Sequence, residues 1–166
     1  MNSPIRRGLL VLAALLFALT APGCDSDSPT APLLTEGDVT PVELYASSTS
    51  GLDQSERRVV RTEAAYDELA MDIFDDDPDA EALPMVDFTR FMVLAVASGE
   101  QPEACHSIAV TGATSDGTDL DVTVTETGPT ADCMCAASLA QPVQVVSVPR
   151  ADEISFRTVT ATDCAA

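Results

Sequence analysis

The sequence contains no lysine and no tryptophan, and it has one histidine, two tyrosines and five phenylalanines in 166 residues. Because Tyr45 and Tyr66 are its only tyrosines, it has few of the aromatic side chains that would line a sugar-binding cleft beside the paired carboxylates of a glycosidase. A Ser–His or Cys–His nucleophile needs a histidine oriented by a third group. Ser107 follows His106 directly, and neighbouring residues on a strand point to opposite faces. We therefore expect no catalytic residue and no enzymatic activity.

The absence of lysine leaves eight arginines to balance 27 acidic residues, which gives a formal net charge of −19. Removal of Arg6 and Arg7 with an N-terminal signal would change this to −21, since −19 − 2 = −21. A surface of this charge repels nucleic acid and anionic lipid headgroups. We expect no cofactor, no nucleic-acid partner, and contact with the membrane through a lipid anchor only.

Residues 1–23 have the features of a secretory signal peptide. Two arginines precede an apolar run, residues 9–19, and small residues follow at Ala21 and Gly23. The run is too short to span a bilayer comfortably. Cys24 stands where bacterial lipoproteins are cleaved and acylated, so we expect lipid attachment there. Ordinary secretion, with cleavage at the same bond, is the alternative.

The chain after the signal divides into a tether and one domain. Residues 24–40 are rich in Asp, Ser, Thr and Pro without apolar periodicity, which is typical of a flexible spacer. Residues 41–166 are enough for a single domain with one core. We expect an exported protein of the cell envelope, anchored on the periplasmic or outer face of a membrane.

Four cysteines remain if Cys24 carries a lipid: Cys105, Cys133, Cys135 and Cys164. An even number in an exported domain predicts two disulfides. On an extended strand Cys133 and Cys135 are too far apart to bond each other. Each should therefore bond either Cys105 or Cys164, and both connectivities remain open. A zinc site built from these thiols and the histidine is the alternative, but the spacing lacks a C-x-x-C motif and we expect no metal.

A cluster of carboxylates follows the predicted helix. Its members are Asp75, Asp76, Asp77, Asp79 and Glu81. Calcium prefers such oxygen ligands, but the segment lacks the glycine and the terminal glutamate spacing of an EF-hand loop. A solvated acidic loop and a weak calcium site both remain open.

One amphipathic helix is predicted near residues 63–74. Thr62 is a suitable N-cap, and Tyr66, Leu69, Ala70 and Ile73 recur at helical spacing on one face.

The rest of the domain has the alternation and turn residues of short β-strands. Strands are predicted at residues 42–46, 57–61, 91–96, 107–111, 120–125, 143–148 and 154–159, and in the segment that contains Cys133 and Cys135. Residues 91–96 are continuously apolar, which indicates a central strand buried on both faces. We therefore expect an α+β fold, a mainly antiparallel sheet of about seven or eight short strands with one helix.

The residues between 83 and 100 carry a resemblance to a known family. Residues 83–88, Leu-Pro-Met-Val-Asp-Phe, precede the apolar strand, which ends in Gly99-Glu100. With the strand at residues 142–149 and Phe156, these features resemble the C-terminal domain of PrcB, a subunit of a spirochaete protease complex. That domain is found in many bacterial lipoproteins, and the similarity runs over residues 51–164.

The resemblance implies an exported accessory subunit and supplies no catalytic residues. Where the family has Thr-Gly-Gly-Tyr after Gly-Glu, this chain has Glu103-Ala-Cys-His106. This departure marks residues 98–106 as the predicted partner-contact segment, with Gly99, Glu100, Glu103 and His106 as its candidate binding residues. A tight strand connection without a partner is the alternative.

We therefore expect a lipid-anchored accessory or binding module, a non-catalytic subunit that supports an exported protease or another envelope protein. The alternatives are a structural lipoprotein that stabilises the envelope without a dedicated partner, and an enzyme. A binding module should co-purify with a defined partner, whereas an enzyme should have a pocket with convergent polar groups.

Overall fold

The computed structural model of the protein describes residues 34–74 and 82–164. The predicted signal peptide, Cys24, tether residues 24–33 and the acidic cluster at residues 75–81 lie outside these described residues. In chain order the elements are β1 (Gly37–Asp38), β2 (Val42–Ser47), β3 (Ser55–Val60), α1 (Glu63–Phe74), β4 (Phe91–Ser98), β5 (Ser107–Ser115), β6 (Leu120–Gly128), β7 (Val143–Pro149) and β8 (Ile154–Thr162).

The strands form two four-stranded sheets that pack face to face. The helix packs on the other face of one of them, which is therefore the middle layer and is called the inner sheet; the other is called the outer sheet. The inner sheet has the order β2-β7-β4-β3 and is antiparallel throughout. The outer sheet has the order β1-β5-β6-β8, in which only β6 and β8 run parallel. The prediction of a mainly antiparallel α+β fold with one helix near residues 63–74 is confirmed.

Strand β4 lies at the centre of this arrangement, and six of its eight residues are buried. Met92, Leu94 and Val96 face the outer sheet and join the core between the sheets. The alternate residues, Val93, Ala95 and Ala97, face α1 and join the second core. The continuous apolar run therefore fills two cores at once, as predicted for a strand buried on both faces.

The helix begins and packs as its sequence predicts. The Thr62 hydroxyl accepts a hydrogen bond from the Ala65 amide at 3.3 Å, which caps the first turn. Tyr66, Leu69 and Ile73 are buried against the inner sheet. The Tyr66 hydroxyl donates to the Pro84 carbonyl at 3.1 Å, and its ring lies edge-on to Phe88. Among the described residues, no helix has the length and apolar content needed to cross a bilayer.

The segment at residues 83–88 returns the chain from the helix to β4. Leu83, Val86 and Phe88 pack against the core beneath α1. The Asp87 carboxylate accepts hydrogen bonds from the Thr89 hydroxyl at 2.6 Å and the Thr89 amide at 3.0 Å. These bonds hold the pKa of Asp87 below its ordinary value, and they tighten the turn into β4. In this protein residues 83–88 therefore have a structural role.

Two predictions made from local patterns are wrong. Gly37–Asp38, predicted as tether, pairs with Thr114 and Ser115 of β5, and Leu34 packs against the core. The segment containing Cys133 and Cys135 forms no strand; between β6 and β7 the one ladder contact is an isolated bridge from Ala140 to Gln101. Disulfides rather than a β-ladder hold this segment.

The direction of β8 follows from where β7 ends. After Pro149 the chain crosses to the outer sheet within residues 150–153, and Ile154 then pairs with Leu120 at the beginning of β6. Because β8 starts at the same end of the sandwich as β6, it runs parallel to it. Arg61 stabilises the crossing by donating to the Ala151 carbonyl at 2.6 Å.

Gly99 is the position where the fold most clearly requires a glycine. Its φ of +73° is in the left-handed region, and an added Cβ would lie 2.6 Å from the Ser55 amide nitrogen and 2.9 Å from the Asp53 carbonyl. The clashing atoms are backbone, so they cannot move aside cheaply.

We expect Gly99→Ala to lower the free energy of unfolding by about 2–4 kcal/mol, through left-handed strain and overpacking. Urea denaturation of the purified protein measures this loss. Gly112→Ala is the matched control, because Gly112 has no positive φ and its nearest neighbour would lie 3.8 Å from the new Cβ. Equal stability of the two variants would contradict the expectation.

Candidate partner-binding surface

The predicted partner-contact segment, residues 98–106, lies at one end of the sandwich between β4 and β5. Gly99 is buried against the chain that leads into β3, and the Glu100 amide donates to the Asp53 carbonyl at 3.0 Å. Gly99 therefore shapes the turn and is not itself available for contact. Glu100 is exposed, whereas Glu103 and His106 are half-buried.

Two disulfides close this end of the domain. Cys105 bonds Cys135 and Cys133 bonds Cys164, with Cα atoms 5.6 Å and 5.4 Å apart respectively. This is one of the two connectivities that the sequence left open, and Cys133 and Cys135 do not bond each other. Together the bridges join the segment before β5, the loop between β6 and β7, and the chain that follows β8.

Backbone hydrogen bonds reinforce the same junction. Gln101 and Ala140 exchange amide-to-carbonyl bonds of 2.7 Å and 3.0 Å, and the Ala104 amide donates to the Ala136 carbonyl at 3.1 Å. The Gln101 side chain also donates to the Ser98 carbonyl. We call residues 98–106 and 129–142 together the stapled surface. Because disulfides and backbone bonds both hold it, it is presented from a fixed base.

The stapled surface exposes apolar side chains. Met134 is fully exposed at 100% and Leu139 is 64% exposed. Glu100, Pro102 and Ala104 on the neighbouring segment are also exposed. Exposed methionine on a rigid support is suited to protein contact, since its side chain adapts to irregular partner surfaces. Sequence reasoning missed Met134 and Leu139, because a predicted strand gave no reason to expect them in an exposed loop.

A small cleft lies beneath the segment, between the two sheets. It has a volume of about 210 Å³ and is lined in part by Ser98, His106, Ser107 and Glu126. The His106 ring lies against Gly128, where a Cβ would approach Cε1 to 3.2 Å.

The cleft contains the residue types of a nucleophilic site without its hydrogen bonds. Within the described residues, no hydrogen bond joins His106 to Ser98, Ser107 or Glu126. The Glu126 carboxylate instead accepts a bond from the Arg57 guanidinium at 2.5 Å, which ties the inner sheet to the outer one. The half-buried carboxylate therefore has a structural partner, and no base is oriented toward a serine here.

The disulfides also bear on the zinc alternative. All four candidate thiols are bonded in pairs, so they are not available as thiolate ligands. No group of three His, Cys, Asp or Glu side chains in the described ranges is arranged to hold a metal ion. The acidic cluster at residues 75–81, the calcium alternative, lies outside those ranges.

The carboxyl groups with lowered pKa values lie away from the stapled surface. Asp116 accepts hydrogen bonds from the Asp119 amide at 2.8 Å and the Thr118 amide at 2.9 Å, and these bonds hold its pKa below the ordinary value. Asp87 is lowered by its bonds to Thr89. Both groups stabilise turns, so their shifts have a structural cause and indicate no acid–base site.

The disulfide connectivity can be tested by cleavage at methionine, because Met134 separates Cys133 from Cys135. Cyanogen bromide treatment of the unreduced protein should leave fragments 93–134 and 135–166 covalently joined, and reduction should release them. Mass spectrometry of the digest measures this. The other connectivity left open, Cys105–Cys133 with Cys135–Cys164, places each bridge within one fragment, so the fragments would separate without reduction.

Comparison with known proteins finds similarity to a family over part of the chain. Residues 92–149 match the family model described as PrcB C-terminal. The matched stretch begins in β4, includes residues 98–106 and the loop that bears Met134, and ends with β7. No curated protein and no solved structure matches the chain. Over residues 92–149 the chain is therefore similar to the C-terminal domain of PrcB, and the resemblance predicted from its sequence is confirmed.

Proposed function

We propose that this protein is an exported, lipid-anchored binding module that acts as a non-catalytic accessory subunit of an exported protease. The observation that carries the proposal is the stapled surface, where two disulfides fix an exposed apolar loop at one end of the domain. The PrcB C-terminal match covers that surface.

The cysteine pairing supports export and lipid attachment. Disulfides persist in oxidising compartments and are rare in the cytosol. Four of the five cysteines form the two bridges, which leaves Cys24 as the fifth. Acylation at the end of the signal peptide would account for this fifth cysteine.

The path of the chain supports a surface directed away from the membrane. The predicted tether reaches the domain at β1, which pairs with Thr114 and Ser115 at the far end of β5. The near end of β5 follows His106 directly. Nine residues at about 3.4 Å each separate the two ends by roughly 27–30 Å. A module anchored through its tether would therefore present the stapled surface on the side opposite its point of attachment.

A binding role without catalysis accounts for the site chemistry. In the cleft beside His106 the carboxylate of Glu126 is bonded to Arg57, and the described residues show no nucleophile activated by a base. Most exposed side chains of the stapled surface are apolar or acidic, and they suit contact with a protein better than turnover of a substrate.

Lipid attachment predicts that Cys24→Ser will release the protein from membranes. A serine has no thiol to form the thioether bond to the lipid. The acidic chain also has no electrostatic attraction to anionic headgroups that could replace the anchor. Membrane fractionation in the native host measures release, and the intact mass of the wild-type protein should include the lipid. A wild-type protein that is unmodified at Cys24 and found in the soluble fraction would disprove the anchor.

Partner binding predicts that Met134→Asp will reduce capture of a specific protein when the tagged, anchored chain is purified from its own membranes. A charge placed at the centre of an apolar contact leaves an unpaired, desolvated carboxylate, which should weaken binding at least tenfold. Met85→Asp is the matched control, because Met85 is equally exposed at 101% and lies on residues 83–88, away from the stapled surface.

The outcomes separate the alternatives. A protease recovered with the wild type and with Met85→Asp, but lost with Met134→Asp, supports the proposed role. Recovery that is the same for all three proteins would place the binding surface elsewhere. An abundant protein that retains no partner would favour the structural lipoprotein.

A further inference from the structure

Strand β8 forms an edge of the outer sheet whose free side is unusually regular. It is nine residues long and pairs with β6 along its whole length. The Glu153 carbonyl accepts from the Leu120 amide, and the Asp163 amide donates to the Gly128 carbonyl. In a parallel ladder, the backbone amides and carbonyls of every second residue bond to the strand on one side. The odd-numbered residues of β8 therefore direct these groups to β6. Even-numbered residues 154–162 therefore direct their amides and carbonyls to the open edge, where the described residues include no ladder partner.

The other three edge strands each carry a feature that discourages further pairing. β1 has only two residues, and β2 has a bulge between Glu43 and Tyr45. β3 carries three charged side chains in succession, Glu56, Arg57 and Arg58. β8 has no proline, no glycine, no bulge and no acidic residue, and Arg157 is its one charged residue. A long edge without such protection pairs readily with another strand.

The tether is a poor candidate to cover this edge. It contains Pro29 and Pro32, which cannot donate backbone hydrogen bonds to a ladder. It also reaches the domain at β1, on the opposite edge of the same sheet.

We propose that β8 pairs with β8 of a second copy of this chain, antiparallel about a two-fold axis, so that the two outer sheets become one eight-stranded sheet. The strand is suited to this because five of its nine residues are β-branched, Ile154, Thr158, Val159, Thr160 and Thr162. Two-fold symmetry requires one surface that complements itself, and a strand with no acidic residue and a single arginine meets that need better than the other described edge strands.

Like charges disfavour two of the possible registers. A two-fold axis at Arg157 would place two arginines opposite each other, and an axis at Thr158 would place Glu153 opposite Asp163 of the other copy. An axis at Val159 avoids both contacts and pairs residues 156–162. It brings together the two Val159 side chains, each 40% exposed in the single chain. Like charges directly opposite each other destabilise a strand pair, whereas two β-branched residues stabilise it.

The net charge predicts how this dimer responds to salt. Each copy carries a formal charge of −19 before any processing, so the copies repel each other at long range. The paired strands themselves hold no acidic residue. Added salt screens the repulsion and leaves the backbone ladder intact, so association should strengthen with ionic strength. Binding held together by opposite charges would weaken instead.

The test uses the exported chain carrying Cys24→Ser, studied by sedimentation velocity from about 1 µM to about 1 mM, a range that brackets a weak contact of small area. We expect a monomer–dimer equilibrium that is tighter at about 0.5 M than at about 0.05 M salt. Thr160→Pro should weaken the dimer at least tenfold. It removes an amide that points to the open edge and leaves the bonds to β6 in place. Thr160→Ala keeps that amide and should dimerise as the wild type does.

Circular dichroism melting of both variants checks the fold. If Thr160→Pro is unfolded, Val159→Glu takes its place, because it sets two carboxylates against each other at the axis, and Val159→Thr is its control. A chain that stays monomeric at every concentration and salt would overturn the proposal. Dimers that persist unchanged in Thr160→Pro, or in Val159→Glu where that variant takes its place, would overturn it as well.

Discussion

The burial of β4 on both faces is the constraint on which the rest of this structure depends. A strand whose alternate side chains are all apolar must be covered twice, here by α1 on one side and by the outer sheet on the other. This requirement fixes the three-layer arrangement and places the strand ends at defined positions. Residues 98–106 directly follow β4, the most buried of the described strands. Their conformation is therefore set by β4, by Gly99, and by the chain that leads into β3.

The two ends of the sandwich have different tasks under the proposed function. The end where β1 pairs with β5 receives the tether, and the opposite end carries the stapled surface. That surface lies in loops, which a small domain cannot hold by core packing alone. Each disulfide closes a loop of about 30 residues, which by chain entropy contributes roughly 3–4 kcal/mol. The disulfides therefore stabilise the exposed apolar loop at the end of the domain, where core packing does not hold it.

Positive charge is scarce in this domain, and its arginines make specific contacts. Arg57 joins the sheets through Glu126 and also donates to the Ala97 carbonyl. Arg58 contacts Asp72 at 2.6 Å and so connects β3 to α1. The chain as a whole is acidic, which predicts repulsion from anionic headgroups and nucleic acid. Against that background, β8 has no acidic residue and the loop with Met134 exposes apolar side chains, so we expect these two places to favour contact with another protein surface.

The sequence by itself was sufficient to predict three features. The helix follows from apolar side chains repeated at helical spacing, β4 from its continuous apolar run, and the number of disulfides from the cysteine count. These follow from local periodicity and composition, which record what each residue faces. Only the tertiary structure decided that Gly37–Asp38 joins the outer sheet, that Cys105 bonds Cys135, and that β8 runs parallel to β6. The exposure of Met134 likewise depends on where a disulfide-held loop lies. Pairing between distant segments is set by which ends of the sandwich they share, and no local pattern contains that information.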